Sequence, residues 1–522
     1  MAGMVSIDLV RIEIVDGVLW RDENMSDQFK EQGGAATMDP NPVRRWLTST
    51  FISRLLRPDR LSKKRAKFEQ RRISRHRVEF FYQLDDAYSH LAAQLLIPLL
   101  EQYDIELICY LVSGSSGTNN AEPELLAKYA SYDAAYIAPH LGLSFPELQP
   151  ASSSDSASND YLTNLALAIL AAQDRSGFIN AVPQVGQALW AGDKHALESL
   201  AAEHGCAPDA IAAILKTGNA RREKLGHYCG AMFYYAGEWY WGVDRLYHLE
   251  ARLRELGAEY EPHKPMLMPR PEIVSGPLKD KGSLQLEIYV SLRSPYTAIS
   301  FDRVVKLAAE TGVELVVRPV LPMVMRGVPV TRQKGLYIFT DAAREAFEAD
   351  VAFGQFYDPI GEPVRRCYAL YPWACEQGKG TELISSFLRC AFVEGVNTNT
   401  DKGLRTVVEN AGLDWLKATD TLKALNGLKA SSTLKASDIP GQSDWQAILQ
   451  ANRQAMYDAG LWGVPSFRLL DKSVDENVDK SADKSADKSD EQVLALWGQD
   501  RLWLIAREIQ SRLAKKNGEN HV

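Results

Sequence analysis

Residues 286–300 read Leu-Glu-Ile-Tyr-Val-Ser-Leu-Arg-Ser-Pro-Tyr-Thr-Ala-Ile-Ser. The first seven alternate β-branched and aromatic side chains with others, which predicts a half-buried strand. Ser294 and Pro295 then predict the cap and the first position of a helix that continues through Leu307. Such a junction places backbone N–H groups and a hydroxyl at the end of a sheet, where an anionic sulfur or carboxylate is favoured. A second interpretation, in which Ser294 only caps the helix, fits this stretch equally well.

The composition is typical of a globular chain with several domains. A length of 522 residues allows about two to four domains. The hydrophobic fraction of 46% and the charged fraction of 24% are ordinary for such proteins. The net charge of −8 argues against nucleic acid as the main partner. No stretch approaches the roughly 18 uncharged apolar residues of a membrane-spanning helix, so we expect no membrane partner.

The cysteine pattern and the N-terminal residues favour a cytoplasmic location. The six cysteines lie at least eight residues apart and form no C-x-x-C pair. This spacing favours reduced thiols over disulfides or a zinc site. Residues 1–22 lack the basic start and apolar core of a signal peptide. The histidines show no metal-ligand spacing, so we expect no metal.

The first half of the chain predicts a β–α–β unit followed by helices and a hairpin. A strand begins at Val78, a helix follows Asp86, and a second strand covers 105–112, which implies parallel strands joined by a crossover. Residues 121–222 are helical in pattern, and the aromatic segment 230–241 predicts a hairpin.

The second half repeats this order from residue 284 onward. The six residues Trp-Gly-Val-Asp-Arg-Leu at 241–246 recur as Trp-Gly-Gln-Asp-Arg-Leu at 497–502, and Tyr88 matches Tyr296. An internal duplication follows from this similarity.

These patterns predict four segments along the chain. Residues 1–75 form an N-terminal helical appendage, whose segment from Pro42 to Leu56 is expected to pack against the first domain. The two domains cover residues 76–261 and 284–515, and the proline-rich residues 262–283 link them. Residues 472–490, which repeat Asp-Lys-Ser, are predicted to be a disordered loop.

Four motifs in the second half carry a resemblance to a known family. They are Ser294-Pro295-Tyr296, residues 333–337 with Asp341, residues 462–467 and residues 497–502. In this order they resemble the 2-hydroxychromene-2-carboxylate isomerase and kappa-class glutathione transferase family of the DsbA-like thioredoxin superfamily. The resemblance covers 284–512 well and 78–257 more faintly. It implies an α/β fold with two tandem thioredoxin-like domains, each with a large helical insertion.

The resemblance implies glutathione as cofactor and Ser294 as the catalytic residue. Disulfide oxidoreductases of this superfamily carry C-x-x-C where Ser294 stands, so glutathione would supply the sulfur here. The Ser294 hydroxyl and the helix N-terminus would lower the pKa of that thiol. Arg293 is expected, from its position alone, to attract a substrate carboxylate. The glutathione-binding residues implied by the resemblance are Pro295, Tyr296, Lys334, Val464, Pro465, Gln499 and Asp500.

Several of these residues also have simpler interpretations. The resemblance implies a cis peptide bond at Pro465, with the Val464 backbone pairing with glutathione as an added strand would. An ordinary trans proline at the start of a strand is the alternative. Asp500 is either the N-cap of the last helix or a ligand of the γ-glutamyl amino group, and both are compatible. Lys334 is either a surface charge or a partner for a glutathione carboxylate.

The first half departs from the family pattern at the corresponding positions. Asp86 stands in place of Ser294, and Met232 stands in place of Pro465. A carboxylate would repel a thiolate, so we interpret the first half as a degenerate copy that packs against the active half. An independent acid–base role for Asp86 is the weaker alternative. The duplication predicts either a monomer that mimics a dimer or a homodimer.

The sequence thus leaves three functional hypotheses. The first is a glutathione-dependent isomerase or transferase that acts on an electrophilic, aromatic-derived small molecule. The second is a non-catalytic tandem thioredoxin-like protein that binds a peptide or partner. The third, a protein disulfide oxidoreductase, is disfavoured because the C-x-x-C motif is missing.

Overall fold

The computed structural model describes residues 39–70, 75–114, 122–147, 156–328, 330–430, 444–472 and 493–518. Nearly all of the predicted loop 472–490, and residues 1–38 of the predicted appendage, lie outside these ranges. The strands in the described residues are β1 (His76–Gln83), β2 (Ile105–Val112), β3 (Met232–Tyr235), β4 (Glu238–Trp241), β5 (Leu284–Val290), β6 (Glu314–Pro319), β7 (Ser466–Asp471) and β8 (Val493–Trp497).

The helices of the same residues form two groups, one before β5 and one after it. Those before β5 are α1 (Pro42–Leu55), α2 (Pro58–Gln70), α3 (Ala87–Ala93), α4 (Leu96–Gln102), α5 (Pro123–Ile137), α6 (Ser156–Ala171), α7 (Arg175–Trp190), α8 (Lys194–His204), α9 (Ile211–Lys224) and α10 (Leu246–Glu255). The later helices are α11 (Pro295–Thr311), α12 (Arg332–Glu348), α13 (Glu362–Glu376), α14 (Gly380–Phe392), α15 (Asp401–Asn410), α16 (Trp415–Ala430), α17 (Trp445–Asp458) and α18 (Leu502–Lys516).

The strands form two four-stranded sheets with the same order. The first sheet is β2-β1-β3-β4 and the second is β6-β5-β7-β8. In the first sheet β1 pairs in parallel with β2 and antiparallel with β3, and β3 pairs antiparallel with β4. In the second sheet β7 pairs antiparallel with both β5 and β8. The predicted β–α–β unit and the later hairpin are therefore confirmed in the first half.

The strand β5 is more deeply buried than its sequence predicts. The alternation in 286–292 predicts one exposed face, but every residue from Leu286 to Val290 is buried. β5 lies between β6 and β7 in the middle of its sheet, so side chains on both faces are covered. The buried Glu287 keeps its charge compensated because its carboxylate binds Arg318 and Arg468.

The contacts divide the chain into two compact units. The helical unit consists of the described residues up to Arg57, of Ser291–Asp302 and of Pro319–Ala451. The sheet unit consists of Pro58–Val290, Arg303–Arg318 and the chain from Asn452 onward. The predicted domain limits follow the sequence repeat rather than these units, and they stay predictions.

The two N-terminal helices belong to different units, which corrects the prediction for the first of them. The sequence predicts that the segment from Pro42 to Leu56 packs against the first domain, but α1 binds the second domain's insertion between β6 and β7, where Ser53 Oγ donates to the carbonyl of Phe356 at 3.0 Å. The helix α2 contacts the first domain instead, and Arg65 binds Glu238 there through two bonds of 2.9 Å. On α1, a row of polar residues spaced four apart (Arg45, Ser49 and Ser53) binds backbone groups of residues 356–360.

The predicted linker is tied to the first domain by a buried carboxylate. Glu250 of α10 accepts hydrogen bonds from the N–H groups of Leu267 (2.8 Å) and Met268 (3.0 Å) and from the hydroxyl of Tyr103 (2.9 Å). Burial raises the pKa of Glu250, and these donors oppose the rise. Part of the linker is therefore held in one place by specific bonds.

We expect Gly218→Ala to lower the free energy of unfolding by about 2 kcal/mol because it overpacks the contact of α9 with β2. A Cβ atom at Gly218 would lie 2.1 Å from the carbonyl oxygen of Leu111. Alanine is otherwise a better helix former than glycine, so a loss of stability would show that the steric contact outweighs the gain in helix propensity. The matched control is Gly335→Ala in α12, where the nearest atom to the new Cβ, in Val330, is 3.9 Å away. Urea unfolding measures both variants, and a stable Gly218→Ala protein would contradict the prediction.

Candidate functional site

Ser294 caps α11, as the sequence predicts. Its Oγ accepts a hydrogen bond from the N–H of Thr297 at 3.1 Å, and its carbonyl accepts from the N–H of Ala298 at 3.0 Å. Pro295 is buried at the first helical position. A hydroxyl can both accept and donate hydrogen bonds, so capping and a second role are compatible. The 17 residues of α11 point the positive end of the helix dipole at this position.

Arg293 makes an ion pair with Asp358 in the helical unit. Its Nε and Nη2 atoms donate to the two carboxylate oxygens at 2.9 and 3.2 Å. Burial raises the pKa of Asp358, but the charge and hydrogen bonds of Arg293, together with the N–H of Ile360 and the Arg45 charge, hold this pKa below its ordinary value. A substrate carboxylate at Arg293 would therefore have to share this guanidinium with Asp358.

Tyr296 connects the start of α11 to the middle of α12. Its hydroxyl donates to Asp341 Oδ2 at 2.8 Å, and Arg344 donates to the other oxygen at 2.6 Å. In the first domain the hydroxyl of Tyr88 donates to Asp133 Oδ2, also at 2.8 Å. Each tyrosine precedes its aspartate by 45 residues. The two domains therefore hold the first helix of the fold in the same way.

Lys334 lies in the first turn of α12. Thr331 caps this helix, and its Oγ1 accepts from the N–H of Lys334 at 3.2 Å. The first turn contains no acidic residue. A lysine at the positive end of a helix favours an anion nearby, because both the side chain and the dipole are positive there. This position suits the predicted interaction with a glutathione carboxylate.

The sheet unit holds the other predicted residues around the loop before β7. The Val464–Pro465 peptide bond is cis, as predicted, and Pro465 is buried. The carbonyl of Pro465 accepts from the N–H of Gly498 at 2.9 Å, which joins this loop to the turn before α18. That turn contains Gln499 and Asp500. The four predicted residues of this unit therefore lie on two connected segments.

Asp500 is not the N-cap of the last helix. A 3₁₀ turn, Gln499–Arg501, precedes α18, and the capping position of α18 is Arg501, which makes no side-chain cap. The Asp500 carboxylate instead accepts from Arg245 Nη1 and Nη2 at 2.7 and 3.1 Å, and also from the Gln499 side chain. The N-cap interpretation is wrong because this turn moves the helix start past Asp500.

The two repeated motifs exchange their charged side chains. Arg245 of the first motif binds Asp500 of the second, and Arg501 of the second binds Asp244 of the first at 2.7 and 3.0 Å. The rings of Trp241 and Trp497 also approach each other, with centroids 6.4 Å apart. Reciprocal pairing of equivalent residues is the pattern of a two-fold interface between identical subunits.

Arg501 also binds Asp133, which is fully buried. Its Nε and Nη2 atoms donate to this carboxylate at 2.9 and 2.7 Å, and the hydroxyls of Tyr88 and Tyr129 donate to it as well. Burial lowers the pKa of Arg501, but Asp133 and Asp244 outweigh it and raise the pKa well above its ordinary value. Arg501 therefore stays positively charged at neutral pH.

In the first domain, the residues at the corresponding positions bind one another. Asp86 caps α3 and accepts from the N–H (3.1 Å) and the hydroxyl (2.7 Å) of Ser89. The Ser89 oxygen in turn accepts from the N–H of Ala231 at 2.7 Å. Aligning Gly230 with Gly463 makes Ala231 the counterpart of Val464, so the backbone donor implied for glutathione is already used here. Burial, opposed by the Ser89 bonds, raises the pKa of Asp86 to about 6.

Sequence reasoning missed two residues beside the predicted ones. Asp358 lies 65 residues after its partner Arg293, in a loop with no motif. Arg245 lies 255 residues before Asp500, although both belong to the repeated motif, and this repeat was the available signal. In the described ranges no group of three or more candidate metal ligands occurs. No helix in those ranges is both long and apolar enough to cross a membrane.

The family comparison matches the second half of the chain. The model for the DSBA-like thioredoxin domain matches residues 285–510. Residues 285–510 form a DsbA-like thioredoxin domain. With the two sheets of equal strand order, this match confirms the predicted fold class of two tandem thioredoxin-like domains with helical insertions. No curated protein matches the chain.

Three similar solved structures each cover less than half of this chain. A 2-hydroxychromene-2-carboxylate isomerase is 15% identical with a TM-score of 0.31, and the match covers 46% of this chain and 100% of the isomerase. A probable DsbA oxidoreductase from Streptomyces coelicolor is 18% identical (TM-score 0.29; 46% and 92% covered). The cytosolic disulfide reductase DsbM from Pseudomonas aeruginosa is 16% identical (TM-score 0.25; 44% and 100% covered).

Proposed function

We propose that the DsbA-like domain is a glutathione-dependent isomerase or transferase of the 2-hydroxychromene-2-carboxylate isomerase and kappa-class type. The observation that carries the proposal is a serine hydroxyl at the N-terminus of a long helix, where a redox enzyme of this fold would carry its thiol. A hydroxyl there cannot exchange disulfides, but it can donate a hydrogen bond to a bound sulfur. The substrate in this proposal is an electrophilic, aromatic-derived small molecule.

Ser294 stabilises the glutathione thiolate in the proposed mechanism. A free thiol with a pKa of about 8.5 is only a few per cent ionised at neutral pH, so the hydrogen bond and the helix dipole increase the reactive fraction. Glutathione bound beside Ser294 would supply a nucleophilic thiolate that can add reversibly to an electrophilic carbon of the substrate, so that it would leave unchanged after isomerisation.

The remaining residues bind the two molecules in this proposal. Lys334 pairs with a glutathione carboxylate, and the backbone of Val464 pairs with the glutathione peptide. Asp500 binds the γ-glutamyl amino group while it also accepts from Arg245. Arg293 attracts the substrate carboxylate and shares its charge with Asp358. Side chains that complete the glutathione contacts are Pro295, Tyr296, Pro465 and Gln499.

The chain is a tandem duplication with a degenerate first copy in this proposal. The equal strand order, the two Tyr–Asp pairs and the reciprocal Arg–Asp pairs support a common origin of the two halves. The bond from Ala231 to Ser89 supports the loss of a glutathione site in the first copy. The reciprocal pairs favour a monomer that mimics a dimer, and the proposal places the protein in the cytoplasm.

The test compares Ser294→Ala with the matched substitution Asp86→Ala in the first domain. Calorimetry measures glutathione binding, and the ultraviolet absorbance of the thiolate gives the pKa of bound glutathione. We expect Ser294→Ala to raise this pKa by about 1–2 units, each worth about 1.4 kcal/mol, and to slow turnover of an electrophile accordingly. Asp86→Ala leaves both quantities unchanged. An unchanged thiol pKa and turnover in Ser294→Ala would exclude the proposed role.

The second candidate function is a non-catalytic tandem thioredoxin-like protein that binds a peptide or partner. The observation that favours it is the set of hydrogen bonds among Asp86, Ser89 and Ala231, which occupy the positions of the first domain that correspond to the proposed site. Absence of a calorimetric signal with millimolar glutathione would favour this function over the first. A disulfide oxidoreductase would need a C-x-x-C motif, which the sequence lacks.

A further inference from the structure

The helix α1 presents a row of polar side chains to the backbone of residues 356–360. Ser53 Oγ accepts from the N–H of Phe356 at 2.9 Å and donates to its carbonyl at 3.0 Å. Ser49 Oγ accepts from the N–H of Asp358 at 2.9 Å. These serines lie four residues apart, so both reach the same segment from one face of α1.

Arg45 completes this row and is itself buried. It is 2% exposed, and its Nη1 donates to the carbonyls of Asp358 and Ile360 at 2.6 and 2.7 Å. Burial lowers the pKa of Arg45, and the nearby charge of Asp358 opposes this. A buried guanidinium that binds two carbonyls fixes their positions closely, since breaking either bond leaves polar groups without partners in the interior.

The segment held by α1 carries the carboxylate that binds Arg293. Asp358 is attached to α1 through its backbone N–H and carbonyl, and its side chain makes the two-bond ion pair with Arg293. Arg293 immediately precedes Ser294. The preceding residue, Leu292, donates its N–H to the hydroxyl of Tyr368 at 3.1 Å. The turn between β5 and α11 is therefore held at Leu292 and at Arg293 by two residues of the insertion between β6 and β7.

We propose that α1 is a positioning element for the candidate site, in which Arg45 acts through Asp358 and Arg293 to fix Ser294 at the start of α11. Arg45 is a positioning residue, because it binds Asp358 and not Ser294. The functional part of this inference rests on the proposed glutathione site, whereas the coupling of α1 to the turn at 291–294 does not. A further contact supports the docking of α1 on this segment, because the carboxylate of Asp39, just before α1, accepts from the N–H of Glu362 at 2.7 Å.

Hydrogen exchange on the full-length chain tests the coupling without any ligand. In Arg45→Met we expect the amides of residues 291–298 and of 356–360 to exchange about tenfold faster, while those of β5 stay protected. In Asp358→Asn the contacts to α1 remain, so we expect faster exchange in 291–298 alone. Arg45→Lys keeps a donor and restores part of the protection. The matched control Arg44→Met, at an exposed position of α1, leaves both segments unchanged.

The binding measurement separates this inference from the proposed function. If the wild-type protein binds glutathione, Arg45→Met and Asp358→Asn should each raise the dissociation constant of glutathione, or lower the acid dissociation constant of its bound thiol, by about threefold or more. Arg45→Lys should recover part of this loss. Wild-type protein that binds no glutathione would refute the proposed function, and the exchange pattern would still decide the coupling. Arg45→Met with unchanged exchange in 291–298 would overturn the inference, even if 356–360 became exposed.

Discussion

Replacing Arg501 by methionine is expected to lower the free energy of unfolding by about 3–5 kcal/mol, the usual effect of removing one partner from a buried ion pair. Asp133 is 0% exposed and accepts three hydrogen bonds from Arg501, and Asp244 accepts two more. Methionine has a similar volume but no charge, so both carboxylates lose their compensating cation. Two tyrosine hydroxyls still donate to Asp133, but they carry no charge.

Arg245, the equivalent arginine of the first repeated motif, supplies the control for this prediction. Arg245→Met should cost less, because its partner Asp500 has a side chain that is 16% exposed and keeps contact with water. Adding Asp133→Asn to Arg501→Met should recover part of the loss, since the buried charge is then gone. Urea unfolding of the full chain measures all of these variants. A loss below about 1 kcal/mol in Arg501→Met would show that Asp133 does not depend on this arginine.

The second large effect is on the pH dependence of stability, through Asp86. Its pKa is raised from 3.8 to about 6 by burial, which the bonds from Ser89 oppose. The folded state therefore binds this proton more tightly than the unfolded chain does, and its contribution to stability is lost as the pH rises from about 4 through 6. A shift of about 2 units corresponds to about 3 kcal/mol. Asparagine at this position caps a helix equally well but does not ionise.

We therefore expect Asp86→Asn to match the wild type near pH 4 and to be more stable by about 3 kcal/mol at pH 7. The quantity compared is the difference in unfolding free energy between variant and wild type, because the titration of His90 changes the stability of both proteins with pH in the opposite direction. Burial lowers the pKa of His90 to about 4, so its contribution is lost as the pH falls from 6.5 to 4. Asp85→Asn, at the exposed neighbouring position, should reduce the effect only in part, because the Asp85 charge is one of the smaller causes of the raised pKa of Asp86. Unfolding curves at several pH values decide the matter, and a constant difference between Asp86→Asn and wild type would contradict the prediction.

Local patterns were sufficient to predict the elements around the candidate site. The strand and capped helix at 286–300 are present, because alternation and a serine–proline pair act on neighbouring residues. The bond at Pro465 is cis, as the motif implied. The prediction for α1 was wrong in its docking partner, since a helical pattern shows which face is apolar and not which surface it meets.

The sequence by itself determined the order of strands and helices, the similarity of that order in the two halves, and serine rather than cysteine at residue 294. These are properties of short segments, and short-range sterics and hydrogen bonding decide them. Only the tertiary structure decided that Arg293 binds Asp358, that Arg245 and Arg501 exchange their aspartates, and that Ser89 occupies the first domain's own backbone donor. The partners in the first two of these arrangements lie 65 to 257 residues apart. The choice of partner depends on which side chains packing brings within a few ångströms of each other, and no local pattern contains this information.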